Sequence, residues 1–141
     1  MAYLLDTTAL SEFTLSAPNV GFLRWLSAHV AEQTFIGAPS IGEVEVGIAL
    51  LDPSKKRASL ERWLLKLIAE FGERVLPFDT AAARLWGRAV GQARKRGKTL
   101  PATDSQIAAI AVANGLSVVT RNVRHFELEA FAGLTIVNPW S

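Results

Sequence analysis

The sequence predicts an α/β fold whose mainly parallel sheet is covered by helices on both faces. Short apolar runs that look like strands alternate along the chain with longer segments of helical spacing, and local turn signals separate the two kinds. Strands that alternate with helices form parallel sheets buried on both faces. The predicted strands are Ala2–Leu5, Thr34–Gly37, Arg74–Pro77, Ser117–Thr120 and Leu134–Val137.

Ser117–Thr120 is the clearest of these strands. It is rich in β-branched residues and follows the Asn114-Gly115 turn, and Leu134–Val137 has a similar composition. Ala2–Leu5 is an apolar run that ends at Asp6. Function in such sheets usually gathers outside the carboxyl ends of the strands, so polar residues at these positions are the first candidates for a site.

The longer segments carry apolar residues every three or four positions, which is typical of helices packed on a core. Asp79 and Asp104 stand where N-caps belong, and Asn114-Gly115 is a natural helix stop. The predicted helices are Val20–Glu32, Ala58–Phe71, Thr80–Ala93 and Ser105–Ala113.

The composition is that of one globular domain. The chain has 141 residues, of which 50% are hydrophobic and 20% charged, so it can bury a core. We expect residues 1–141 to form a single domain. The absence of cysteine excludes disulfides, thiolate catalysis, zinc–thiolate sites and iron–sulfur clusters.

The sequence predicts a cytoplasmic protein without membrane contact. Ile107–Ala113 is the longest aliphatic run and is far shorter than the roughly 20 residues that span a bilayer. Met1–Asp6 lacks the basic start of a signal peptide. The net charge is only +2.

Four polar residues stand at predicted strand ends or helix starts. Asp6 and Asn122 follow the first and fourth predicted strands, Asp104 precedes an apolar helix, and Glu43 follows the second strand. Each has a purely structural explanation. Asp6 could cap a helix starting near Thr8, Asp104 could be a cap, and Glu43 could be a first-turn acid favoured by the helix dipole.

Together, however, these residues would meet at one edge of a parallel sheet. Crowded carboxylates raise one another's pKa unless a cation is present. Hard oxygen ligands suit Mg²⁺ or Mn²⁺, which bind through few carboxylates and retain water. We therefore predict an acidic Mg²⁺ or Mn²⁺ site. Glu43 and Gly47 share a helical face, whereas Glu45 points elsewhere.

The residues resemble the PIN-domain ribonucleases, and in particular the VapC toxins of type II toxin–antitoxin modules in their FitB-like branch. The similarity covers the whole chain, and six segments in family order carry it. They are Leu4–Glu12, Pro39–Gly47, Leu76–Asp79, Ala102–Ala109, Val119–Phe126 and Val137–Trp140.

This resemblance implies a three-layer α/β/α sandwich and a metal-dependent endoribonuclease that hydrolyses RNA with metal-activated water. The family's acids fall on Asp6, Glu43 and Asp104, which would hold the metal, and a supporting hydroxyl falls on Thr7. The fourth acidic position is Asn122, which keeps a carbonyl oxygen but loses a charge. We count these four polar positions as candidate catalytic residues.

Two further positions depart from the family pattern. Thr8 stands where Asn is frequent, which changes a polar neighbour of Asp6 but not a ligand. His125 stands where relatives often carry Asp, and we expect it to be a surface or capping residue rather than a ligand.

Basic residues lie beside the predicted site in the sequence and are candidates for RNA phosphate binding. If they surround the acids, the net charge is small because the negative charge of an acidic site offsets the positive charge of the basic residues around it. A second run, Lys55–Arg57, is predicted in a loop. The candidate RNA-binding residues are Arg94, Lys95, Arg96, Lys98, Arg121 and Arg124.

The resemblance also implies partners. These are a tRNA or rRNA substrate, a second copy of the chain in a homodimer, and a VapB-like antitoxin whose tail enters the acidic pocket within a higher assembly. Two helical segments, Val20–Glu32 and Glu43–Leu51, carry apolar residues that could serve such contacts, although core burial explains at least half of them.

Other functions compete with this interpretation. Haloacid dehalogenase and receiver domains lack support, because position 8 is Thr and no acidic pair precedes Asp6. No phosphate-cradling glycine motif occurs, so nucleotide binding is unsupported. The stronger alternative is a catalytically inactive PIN fold that binds RNA or an antitoxin, and Asn122 is the feature that favours it.

Overall fold

The computed structural model describes residues 1–126 and 129–141. Within them, five strands form one sheet in the order β3-β2-β1-β4-β5, and all neighbouring strands are parallel. The predicted parallel α/β fold is confirmed. The strands are Tyr3–Leu5 (β1), Thr34–Gly37 (β2), Val75–Leu76 (β3), Ser117–Val119 (β4) and Ile136–Val137 (β5).

Helices cover both faces of this sheet. No helix among the described residues is both long enough and apolar enough to cross a membrane. The helices are Thr7–Glu12 (α1), Val20–Ser27 (α2), Ala38–Ala49 (α3), Lys55–Phe71 (α4), Thr80–Lys95 (α5), Ala102–Asn114 (α6) and Val123–Phe126 (α7).

Two hydrophobic cores result from the alternation of side chains along the strands. In β1, Leu4 packs with α5 and α6 on one face, whereas Tyr3 and Leu5 pack with the helices α1 to α4 on the other. All three side chains are buried. Because successive strand residues point to opposite faces, a central strand buried on both sides is apolar along nearly all of its length.

Several helix boundaries differ from the predictions. α2 ends at Ser27 rather than Glu32 and is followed by a 3₁₀ turn at Ala31–Gln33. α4 begins at Lys55, because the Ser54 hydroxyl caps it by accepting from the Arg57 amide at 3.1 Å. The predicted loop placement of Lys55–Arg57 is therefore wrong, since these residues form the first turn of α4.

Two predictions about acids at helix starts are also wrong. α6 begins at Ala102 after Pro101, so Asp104 lies inside the first turn and is not the N-cap. α3 begins at Ala38, because its first turn accommodates Pro39, and Glu43 therefore lies beyond the first turn. The caps of Asp79 on α5 and of Gly115 on α6 are confirmed, the latter at φ 66°.

The sheet brings three connections to one edge. β1 lies between β2 and β4, and Leu5 is in register with Ile36 and Val119. The chain therefore leaves all three strands at the same level, toward α1, α3 and Thr120 respectively. This arrangement puts the predicted polar residues within reach of one another.

Candidate active site

Asp6 follows β1 directly and is only 1% exposed. Its Oδ1 accepts from the Ala9 amide at 3.0 Å and from the Thr8 hydroxyl at 2.6 Å. The expectation that Asp6 caps a helix is thus confirmed, because Asp6 is the N-cap of α1. Capping alone does not account for its burial, however, because Asp is almost never fully buried in proteins unless it is paired.

The Asp6 carboxylate is in an unfavourable environment for a negative charge. Burial raises the pKa of Asp6 above its ordinary value, and the Asp104 carboxylate raises it further. Hydrogen bonds from Thr120, Thr8 and the Ala9 amide oppose that rise without cancelling it.

Asp104 lies in the first turn of α6, with its side chain 19% exposed. Trp86 of α5 fixes this turn, because its indole N–H donates to the Ser105 hydroxyl at 2.9 Å. That hydroxyl donates in turn to the Ala102 carbonyl at 2.9 Å. Burial raises the pKa of the Asp104 carboxyl, the His125 side chain lowers it without cancelling that rise, and the Glu43 carboxylate raises it further.

Glu43 completes a series of three interacting carboxylates. It is exposed on α3 and lines a cavity of about 230 Å³ together with Thr7 and Gly47. Glu43 and Gly47 therefore do share a face, as their spacing predicts. The Thr7 hydroxyl oxygen is buried without a hydrogen-bond partner among the described residues.

Asn122 lies at the same sheet edge, immediately before α7. Its backbone amide donates to the buried Thr120 hydroxyl at 2.9 Å, and its side chain is exposed. The next turn carries His125, whose Nδ1 lies 2.8 Å from Asp104 Oδ2.

The prediction for His125 was incomplete. Its side chain is exposed, as expected of a surface residue, but it also contacts a site carboxylate. Sequence reasoning likewise missed the roles of Thr8 and Thr120 as hydrogen-bond donors to Asp6. Their hydroxyls next to Asp6 and Asn122 were the available signal.

The candidate RNA-binding residues are all exposed. Arg94 and Lys95 lie at the end of α5, about two helical turns beyond Trp86. Because Trp86 contacts Ser105 next to Asp104, the end of α5 extends beyond the carboxylates. Arg121 and Arg124 lie beside Asn122 at the site itself. The structure thus separates one distal basic group from one that adjoins the acids.

The donors fit a hard divalent cation that keeps part of its water shell. In residues 1–126 and 129–141, no three histidine, cysteine or acidic side chains are close enough to bind a metal ion by themselves. Mg²⁺ is commonly held through one or two carboxylates plus water and substrate phosphate. The pair Asp6 and Asp104 meets that requirement. Glu43 lies nearby, as does the Thr7 hydroxyl, which has no hydrogen-bond partner among the described residues.

Comparison with known proteins shows what the chain is similar to. A sequence model of the PIN domain matches residues 3–130. The chain is 37% identical over 138 residues to the plasmid stability protein StbB of Pseudomonas syringae pv. tomato, covering 97% of each chain. It is 36% identical to the VapC ribonuclease Y4jK of Sinorhizobium fredii, covering 97% of this chain and 96% of the relative.

Toxin FitB of Neisseria gonorrhoeae is 34% identical, again over 97% of both chains. A solved structure of FitAB bound to an IR36 DNA fragment superposes with a TM-score of 0.84 at 32% identity, covering 99% of this chain and 96% of the other.

Proposed function

Because this chain belongs to the PIN-domain family and is a toxin of the VapC/FitB type, we propose that it is an endoribonuclease dependent on Mg²⁺ or Mn²⁺. The observation that carries the proposal is the pair of carboxylates Asp6 and Asp104, each with a pKa raised by burial. Such a pair is costly for a protein to keep unless a cation compensates it.

In the proposed mechanism, Asp6 and Asp104 would hold a divalent cation directly or through water, Glu43 would hold one of its waters, and Asn122 would orient water or substrate. The cation would supply a water that is nucleophilic near neutral pH and would neutralise charge on the phosphate. Hydrolysis would join the water oxygen to phosphorus as the bond from phosphorus to O3′ breaks. The proton that the water loses would balance the one that the leaving 3′-oxygen takes up to depart as a hydroxyl.

The residues around the acids prepare them for this role. Thr8 and the Ala9 amide occupy Asp6 Oδ1, which fixes the orientation of that carboxylate. The hydrogen bond from Trp86 to Ser105 holds the first turn of α6, and with it Asp104, against α5. No side-chain nucleophile is required.

The direct test is cleavage of RNA by the purified chain with Mg²⁺ or Mn²⁺, together with identification of the RNA fragments that accumulate on expression. We expect fragments from tRNA or rRNA, and none with Asp6→Asn.

A metal titration also tests the inactive binding module, which would show no cleavage at any Mg²⁺ or Mn²⁺ level. A gain of cleavage in Asn122→Asp alone would favour that alternative.

We predict that Arg94→Glu combined with Arg96→Glu weakens RNA binding and makes it less sensitive to salt. Each basic side chain that no longer contacts a phosphate of single-stranded RNA should reduce the slope of log binding constant against log salt concentration by about 0.7. Filter binding at several salt concentrations measures this slope.

The matched control is Arg62→Glu combined with Lys66→Glu. It makes the same charge change on α4, which packs against the opposite face of the sheet from α5. Equal salt slopes in the two double variants would show that the basic run does not contact RNA.

We also propose an antitoxin partner that binds between α3 and α4. The apolar side chains of Val46 on α3, Leu50 directly after α3 and Leu65 on α4 are 61%, 80% and 70% exposed. Between the helices lies a cavity of about 410 Å³, and Ile48 lines both this cavity and the one that contains Glu43. A bound segment would then continue from this cavity to the acids and place a basic side chain among them.

We predict that Leu50→Glu combined with Leu65→Glu weakens binding of the antitoxin encoded next to this chain by at least about tenfold, as expected for buried apolar anchors. Co-purification and titration calorimetry measure the effect. Val30→Glu is the control, because Val30 is similarly exposed, at 59%, but immediately precedes the 3₁₀ turn Ala31–Gln33, outside α3 and α4. Equal weakening in the control would place the partner elsewhere.

We also propose that the protein is cytoplasmic and forms a homodimer, which joins a higher assembly with antitoxin. Sedimentation of the free chain tests the dimer, which a monomer at micromolar concentration would contradict.

A further inference from the structure

His125 joins the short helix α7 to the acidic site. Its Nδ1 lies 2.8 Å from Asp104 Oδ2, and the two side chains are 51% and 19% exposed. The residues are 21 positions apart in the sequence, so this contact depends on the packing of α7 against α6. It is the one hydrogen bond to the Asp104 carboxylate that the described residues provide.

The backbone around His125 is fixed from both sides. The following residue, Phe126, is buried at 1% exposure. On the other side, the His125 amide donates to the Asn122 carbonyl at 3.0 Å, and the Asn122 amide donates to the Thr120 hydroxyl at 2.9 Å. The imidazole is therefore presented to Asp104 by an anchored segment.

The same segment also contacts Asp6. The Arg121 amide donates to the Thr8 hydroxyl at 3.1 Å, and that hydroxyl donates to Asp6 Oδ1 at 2.6 Å. Residues 120–126 thus connect the two central carboxylates, through Thr8 and Thr120 to Asp6 and through His125 to Asp104.

We infer that His125 is a positioning residue, whose Nδ1–H holds the Asp104 carboxylate through Oδ2 and so fixes the orientation in which Asp104 receives a divalent cation. This inference rests on the proposed function. A neutral imidazole protonated on Nδ1 suffices for the bond. Hydrogen bonds from outside the ligand set commonly orient metal-binding carboxylates, and their removal costs about 10- to 100-fold in metal affinity or activity.

The two ring nitrogens can be separated by substitution. In His125→Asn, the side-chain amide can occupy the position of Nδ1 and donate to Asp104, whereas His125→Gln places its amide near the position of Nε2. Mn²⁺ affinity is measured by the electron paramagnetic resonance signal of free Mn²⁺, and cleavage is measured across the same Mn²⁺ series.

We expect His125→Ala and His125→Gln to weaken Mn²⁺ binding by about tenfold or more, and His125→Asn to stay close to wild type. Cleavage should shift to higher Mn²⁺ concentration in step with affinity. The control is His29→Asn, because His29 contacts Trp25 and Tyr3 at the end of α2 and is the only other histidine in the chain. It should leave Mn²⁺ affinity unchanged.

Wild-type Mn²⁺ affinity in His125→Ala would overturn the inference while leaving the proposed function intact. Rescue by Gln rather than Asn would also overturn it, because it would assign the role to Nε2. Failure of the wild-type chain to bind Mn²⁺ and cleave RNA would overturn the proposed function, and the inference with it.

Discussion

Asp6→Asn and Asp104→Asn should each lower the rate of RNA cleavage by at least about 100-fold. Decreases of this size follow when one preorganised electrostatic interaction with a reacting centre is removed. Asn preserves the shape of Asp and the oxygen that accepts from Ala9 and Thr8 in one case and from His125 in the other. The substitution removes the negative charge and replaces the second carboxylate oxygen with an NH2 group, so a cation loses a charged oxygen ligand.

The same substitutions should leave the metal-free protein as stable as wild type, or more stable. The pKa of each carboxyl is raised in the folded state, so the folded chain binds more protons than the unfolded chain and gains stability as pH falls. At neutral pH the ionised forms therefore cost stability, and a neutral amide removes that cost. Thermal unfolding in the presence of EDTA measures this effect.

Asp79→Asn is the matched control for both measurements. Asp79 is also an Asp N-cap, and its carboxylate accepts from the Ala82 amide at 3.0 Å, but it caps α5 away from the acids. Its cleavage rate should equal that of wild type. Cleavage at the wild-type rate by both Asp6→Asn and Asp104→Asn would contradict the proposed function.

Mn²⁺ should raise the unfolding temperature of the wild-type chain. A ligand that binds only the folded state at 100 times its dissociation constant stabilises it by about 2.7 kcal/mol, which corresponds to several degrees for a chain of this size. The four tryptophans provide a fluorescence signal for the transition. The gain should be large because the cation both fills the site and relieves repulsion between the carboxylates.

The double variant Asp6→Asn with Asp104→Asn should lose this stabilisation, whereas Asp79→Asn should retain it. An equal temperature shift in the double variant and the wild type would place the cation outside the acidic cluster. A wild-type chain that shows no shift at millimolar Mn²⁺ would contradict the metal dependence itself.

Much of the fold follows from local sequence properties. Largely apolar runs of the correct length identify β1, β2 and β4, because a central parallel strand buries side chains on both faces. Helix boundaries were less accurate where two signals competed. Pro101 starts α6 ahead of Asp104, and Ser54 starts α4 ahead of the predicted Ala58. A cap is chosen by the backbone path into the helix, which residue identity alone does not fix.

The sequence by itself determined the chemistry that the site offers: carboxylate and amide oxygens at strand ends, no thiols, and basic residues on either side. Tertiary structure alone decided which of these groups interact. Burial of Asp6 and the contact of His125 with Asp104 arise because parallel strands end at one edge and Phe126 anchors α7 there. Interactions between residues far apart in the chain depend on how the helices and strands pack, so local sequence patterns cannot predict them.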